Sequence, residues 1–127
     1  MTLSVNARVE AAPNFLSNLE TARLFFVEQD ADTASERFSK LKAELREMVT
    51  VLAWSPASGR PARFLSAYSA QSRLRAKSVL QLAAQVGLPS LREYVIGRHI
   101  ALYAHSEVEV VLLALKHQRQ LIYCAAD

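Results

Sequence analysis

From Leu91 onward, three runs of β-forming residues follow one another with only two-residue breaks between them. Leu91 to Ile96 is the first, closed by Gly97-Arg98; His99 to His105 is the second, closed by Ser106-Glu107; Val108 to Lys116 is the third. Connections this short join neighbouring strands antiparallel, so the last third of the chain reads as a meander. The third run is apolar on both faces from Val110 to Leu115. A strand with two apolar faces sits inside a sheet that is covered above and below. An all-helical fold is thereby excluded, and helices elsewhere in the chain must supply the cover.

The amino-terminal half supplies them. Leu3, Val5, Ala7, Val9 and Ala11 alternate with polar residues, which predicts a strand over 3–11 that adds to the sheet. Pro13 then opens a helix, where its missing N–H costs nothing. Phe15, Leu19, Ala22 and Phe26 recur at helical spacing, with Leu16 and Val27 widening the stripe. Glu28, Asp30 and Asp32 mark a junction, and Thr33 with Glu36 fits a capping box for a second helix. Ala34, Phe38, Leu41, Leu45, Met48 and Leu52 form one continuous stripe on that helix, suited to packing on a sheet. The two helices, over 14–53, are expected to form an antiparallel hairpin. Trp54 is expected to anchor the following loop, Ser55 to Pro61, against the sheet. A third helix is predicted over about 72–86, ended by Gly87 and Pro89. The fold class is α+β: a small antiparallel sheet, made of the amino-terminal strand plus a carboxyl-terminal three-stranded meander, covered by an α-helical hairpin, with an extra inserted helix.

A chain of 127 residues, 51% of them hydrophobic, fits a single domain over 1–127. One cysteine, Cys124, leaves no internal disulfide framework and no cysteine-rich zinc site. No apolar run is long enough to span a bilayer and no secretory signal is visible, so a cytoplasmic protein without membrane contact is expected.

The net charge of +3 hides a segregation. Between Arg60 and Arg98 lie seven basic residues and one acid, Glu93, whereas residues 1–47 hold six basic residues and eight acids. Arg73, Arg75 and Lys77 read as a solvated helix face, but Arg60, Arg92 and Arg98 flank turns and strands where side chains converge. Such a patch suits an anionic partner, either nucleic acid or an acidic protein segment. His117 and Arg119, two apart, point the same way if the last strand continues. Imidazole shuttles protons near neutral pH, and guanidinium holds phosphate through paired hydrogen bonds. With Arg92 and Arg98 these groups would suit metal-free cleavage of a phosphodiester by its own 2′-hydroxyl, although no clear base is visible. The bland alternative for His117 is a hydrogen-bonded structural role. His99 and His105 are about 20 Å apart along an extended strand and cannot share one metal ion, so no metal or cofactor is expected. Tyr94 and Tyr103 alternate within strands and read as packing residues able to present a hydroxyl at a site.

Three motifs in this order carry a family resemblance. They are Pro56-Ala57-Ser58-Gly59-Arg60-Pro61 after the long second helix, the pattern L-R-E-Y-x-x-G-R-x-x-x-L-Y over residues 91–103, and Val110 to Leu115 followed by Lys116-His117-Gln118-Arg119. Together they resemble the RelE/ParE superfamily of type II toxins, the plasmid stabilisation proteins, with the ParE branch closer. The resemblance implies a toxin neutralised by a cognate antitoxin in a hetero-oligomeric complex, acting by binding a target such as DNA gyrase. The alternative it implies is a metal-independent endoribonuclease acting on mRNA, free or in the ribosome; a further one is a diverged, inactive member. Carried onto this sequence, the catalytic groups of a ribonuclease would be His117, Arg119 and Arg92. Target or phosphate contacts would come from Arg60, Arg92, Arg98, Tyr94, Tyr103, His117 and Arg119. The antitoxin would bind an amphipathic groove on the hairpin, at Leu24, Phe25, Phe38 and Leu41, with Leu24 and Phe25 partly exposed in its absence. The segment over about 62–90, with its inserted helix, departs from the family pattern.

Overall fold

The computed structural model of this chain describes residues 6–62 and 81–119. Its elements are β1 (Arg8–Ala11), α1 (Pro13–Gln29), α2 (Ala31–Trp54), a short 3-10 turn (Pro56–Ser58), β2 (Arg60–Pro61), β3 (Ser90–Ile96), β4 (His99–His105) and β5 (Glu109–His117). Residues 81–86 are helical and belong to the predicted third helix, whose part over 72–80 lies outside the described residues. Leu3 and Val5 of the predicted first strand, and Cys124, lie outside them as well. Among the described residues, no helix is long and apolar enough to cross a membrane.

The fold is α+β, with five strands in the order β1-β5-β4-β3-β2. The meander is antiparallel as expected, while β1 joins β5 in parallel, which makes the sheet mixed. Gly97, at φ 56°, opens the two-residue turn between β3 and β4, a backbone conformation that side chains disfavour. Ala7 N–H donates to the Ala53 carbonyl, tying the start of β1 to the end of α2. The two helices thus leave the sheet at the end of β1 and return to its beginning as a hairpin.

A single residue, Asp30, separates α1 from α2. Its N–H donates to the Phe26 carbonyl, closing α1, and its carboxylate accepts from the Asp32 N–H and the Thr33 hydroxyl, both at 3.1 Å. The capping box expected at Thr33 and Glu36 is therefore replaced by a cap at Asp30. A carboxylate on an extended residue reaches the orphan N–H groups of the first turn directly.

The α2 stripe packs on the sheet as its spacing predicts. Ala34, Leu41, Leu45, Met48 and Leu52 are buried, and Phe38 packs partly buried against them. They meet Ile96, Ala101, Tyr103, Val110, Leu112 and Leu115. On α1, Phe15 and Phe26 are buried, but Leu16 and Val27 face outward rather than widening the stripe. Trp54, 69% exposed, does not anchor the loop. Tyr103 does so instead, as described below. The other face of the sheet carries a second core, in which Leu102, Ala104, Leu113 and Ala114 pack with Leu82, Ala83 and Val86 of the helical segment. This double cover explains why β4 and β5 are apolar on both sides.

One irregularity sets which side chains share a face. Leu102 pairs with Ala114, but Tyr103 pairs with Leu112, so Leu113 is an extra residue, a β-bulge in β5. Before the bulge, Val110 and Leu112 point toward the helices; after it, Leu115 and His117 do, opposite Ala101 and His99. β1 ends its pairing at Leu112, and α1 takes over the edge of β5 there. Asn14 Nδ2 donates to the Leu113 carbonyl and Asn18 Oδ1 accepts from the Leu115 N–H, each at 3.0 Å. Two asparagines one turn apart thus satisfy the strand edge that the bulge opens.

Candidate functional site

Three groups of polar residues emerge where a single basic hollow was expected. The first closes one end of the helix-covered face. Arg92 and Tyr103 are cross-strand partners there, with His105 two residues further along β4. Arg92 Nε donates to His105 Nε2 at 3.1 Å, and Arg92 Nη1 donates to the Gly59 carbonyl at 2.9 Å. His105 Nδ1 lies 3.0 Å from the Ser106 carbonyl; with Nε2 accepting, the ring carries its proton on Nδ1. The Tyr103 hydroxyl donates to the Pro56 carbonyl at 2.7 Å and accepts from the Gly59 N–H at 2.9 Å. A Cβ at Gly59 would stand 2.6 Å from that hydroxyl and collide with the Glu93 carbonyl. Only glycine lets the loop seat this closely. Burial pushes the Tyr103 hydroxyl above its ordinary pKa, so it is a neutral phenol at physiological pH. Arg92 and Tyr103, expected at a target or phosphate site, are here the clasp that holds the loop to the sheet.

The second group lies on the opposite face. Arg60 Nε stands 3.5 Å from the carboxylate of Glu93, whose side chain is 3% exposed. Lys116, on the same side through its pairing with Ile100, is held below its ordinary pKa by burial, with Glu93 acting in the opposite sense. Arg60 therefore shares no surface with Arg92, although their strands adjoin: in the β2–β3 register Arg60 pairs with Glu93 and Pro61 with Arg92. Tyr94 is partly buried in the helix-side core.

The third group forms an open cleft of about 540 Å³ at the other end of the helix-covered face. Arg98 comes from the β3–β4 turn, His99 from β4, His117 and Arg119 from the end of β5, and Arg37 from α2. Asn18, Thr21, Ala22, Phe25 and Gln29 of α1 form the facing wall. No carboxylate lines the cleft among the described residues. The His99 and His117 rings meet edge to face at 5.3 Å between centroids, and Phe26 packs edge-on to His99 at 6.1 Å. Arg37 lies 4.4 Å above the Phe26 ring and donates to Gln29 Oε1 at 3.0 Å, so its position is held from two sides. The Arg119 N–H donates to His117 Nδ1 at 3.1 Å, which places the proton of the neutral ring on Nε2.

The electrostatics of the cleft follow from this crowding of cations. Burial, with repulsion from His117 and Arg37 behind it, lowers the His99 pKa from 6.5 to about 4. His117 is lowered by burial first and then by Arg119, Arg98 and Arg37. Both rings are thus predominantly neutral at pH 7, and the guanidinium groups dominate the local potential. No protein-family model and no curated protein matches this chain.

Of the residues singled out from sequence, His117, Arg119 and Arg98 meet in the cleft, whereas Arg60, Arg92, Tyr94 and Tyr103 lie elsewhere. His117 and Arg119 do share the cleft, but not by strand alternation, because β5 ends at His117 and a turn carries Arg119 back. The positions expected to receive an antitoxin divide too. Leu24 and Phe25 are exposed at 49% and 45%, Phe38 is partly buried, and Leu41 is core at 4%. Sequence reasoning missed Arg37 and the role of His99. The stripe on α2 drew attention to its apolar residues, and Arg37 flanks that stripe. His99 could be placed beside His117 only by a register that includes the bulge.

Proposed function

We propose that this protein is the toxin component of a type II toxin–antitoxin pair of the RelE/ParE kind. It arrests growth by binding a target such as DNA gyrase, and a cognate antitoxin neutralises it. The observation that carries this reading is the architecture. A strand, a helical hairpin and a meander are arranged so that the hairpin covers one face of the sheet and the L-R-E-Y…G-R…L-Y motif runs along β3 and β4. The outer side of α1 supports the partner: Leu16, Leu24 and Val27 lie on one helical face and are 54%, 49% and 41% exposed. An exposed helix face that sets apolar side chains around the Glu20–Arg23 ion pair suits the amphipathic segment of a partner that folds on binding. Tightly controlled expression should arrest growth and change DNA supercoiling, and a short neighbouring reading frame, co-expressed, should restore growth. Normal growth on full induction would overturn the reading.

The cleft favours a second reading, a metal-independent endoribonuclease. An imidazole with two guanidiniums beside it can assist attack of a ribose 2′-hydroxyl on the adjacent phosphorus, with departure of the 5′-oxygen. His99 supplies the second imidazole that the sequence alone did not reveal. Rapid mRNA cleavage with unchanged supercoiling, abolished in a His117→Ala, Arg119→Ala double variant, would establish this reading over the first. Arrest that persists in the double variant with mRNA intact would exclude it.

A further inference from the structure

We infer that the cleft between α1 and the ends of β4 and β5 is a binding site for a small phosphate monoester whose flat or apolar body lies along Phe25. Three guanidinium groups from distant parts of the chain, Arg37, Arg98 and Arg119, gather there. Elsewhere the arginines of β1, α1 and β2 each meet a carboxylate, as in Arg8 with Glu10, Arg23 with Glu20 and Arg60 with Glu93. In the cleft no carboxylate balances the charge among the described residues. The positive potential acts on the two imidazoles, whose protonation it opposes. A dianion is the ligand that relieves this repulsion most, and the planar guanidinium matches phosphate geometry through paired hydrogen bonds. The opposite wall, on α1, is different in kind: Phe25 and Ala22 offer apolar surface beside Asn18, Thr21 and Gln29, and Phe25 is 45% exposed. A volume of about 540 Å³ is in the range of small-molecule sites. Charge at one side and an aromatic ring at the other describe a ligand of nucleoside-monophosphate type.

The inference rests on the cleft alone and goes beyond the toxin reading, since growth arrest neither requires nor supplies such a ligand. Purified full-length protein is titrated with inorganic phosphate, adenosine 5′-monophosphate, adenosine, and a short oligoribonucleotide lacking terminal phosphates, while the histidine ring resonances are followed by NMR. Phosphate and the nucleotide should shift His99 and His117 and raise the pKa of both, leaving His105 at the closed end as an internal control. The nucleotide should bind about ten-fold more tightly than inorganic phosphate, the difference coming from the apolar wall. Arg98→Gln and Arg119→Gln should each weaken binding about ten-fold without loss of fold. Absence of any shift up to about 10 mM nucleotide overturns the inference, as does unchanged affinity in the double arginine variant. Tighter binding of the unphosphorylated oligonucleotide overturns the monoester assignment, because the phosphate would then come from a diester backbone.

Discussion

At one end of the helix-covered sheet face, Arg92 and His105 meet Tyr103; at the other, Arg98 and Arg119 meet His99 and His117. The residue types are nearly the same, and the difference lies in where their hydrogen bonds go. At the closed end the Arg92 guanidinium and the Tyr103 hydroxyl spend their bonds on the backbone of residues 56–59, so a loop is pinned. At the open end the cations face a cleft and press on two imidazoles instead. A basic residue near a turn is therefore a clasp or a site according to whether a backbone carbonyl is within reach. Buried polar groups that are fully paired stabilise, and like charges held together do not.

Acidification probes the open end and has the largest expected effect. His99 titrates at about 4 in the folded protein and near 6.5 when unfolded. Between these values the unfolded chain binds more protons, so the stability contributed here is fully present above pH 6.5 and is lost as pH falls toward 4. The loss should approach about 3 kcal/mol at the acid limit, with His117 adding in the same direction. Urea denaturation at pH 7, 5.5 and 4.5 measures it. A His99→Phe variant with the same pH slope as the parent would show that the cleft does not hold this tension.

Tyr103→Phe probes the closed end. It removes two hydrogen bonds at a buried side chain and should cost about 2 kcal/mol, visible as a lower Tm, with the His99 and His117 resonances unmoved. Movement of those resonances would mean that the two ends are not independent. Asn14→Ala should cost about 1–2 kcal/mol, because the Leu113 carbonyl at the bulge loses a donor. Hydrogen exchange at the Leu115 amide should rise with it, and an unchanged rate would show that Asn18 secures the edge unaided. Arg98→Gln should change stability by less than about 0.5 kcal/mol, since Arg98 is exposed and pairs with no carboxylate among the described residues. A larger loss would place Arg98 with the clasp residues rather than with the site.

Local chemistry was sufficient for most of the architecture. The α2 stripe, Pro13 at the first turn of α1, the Gly97-Arg98 turn and the two-faced apolar run of β5 each act over a few residues, and each appears where its pattern predicts. Capping was misread by one turn, because Thr33 and Asp30 are both plausible caps and only backbone geometry chooses between them.

The site was less accessible to such reasoning, for a reason of parity. In a strand, side chains alternate, so one inserted residue moves every later side chain to the other face. Leu113 is that residue. Nothing in its apolar neighbours marks it, and it persists because Asn14 and Asn18, almost a hundred positions earlier, receive the strand edge it exposes. Without it Lys116 would face the helices and His117 the far side. The chain's own alternation thus determines that a sheet forms and which residues can line it; a contact between α1 and β5 decides that His117 stands beside His99 and the guanidinium groups.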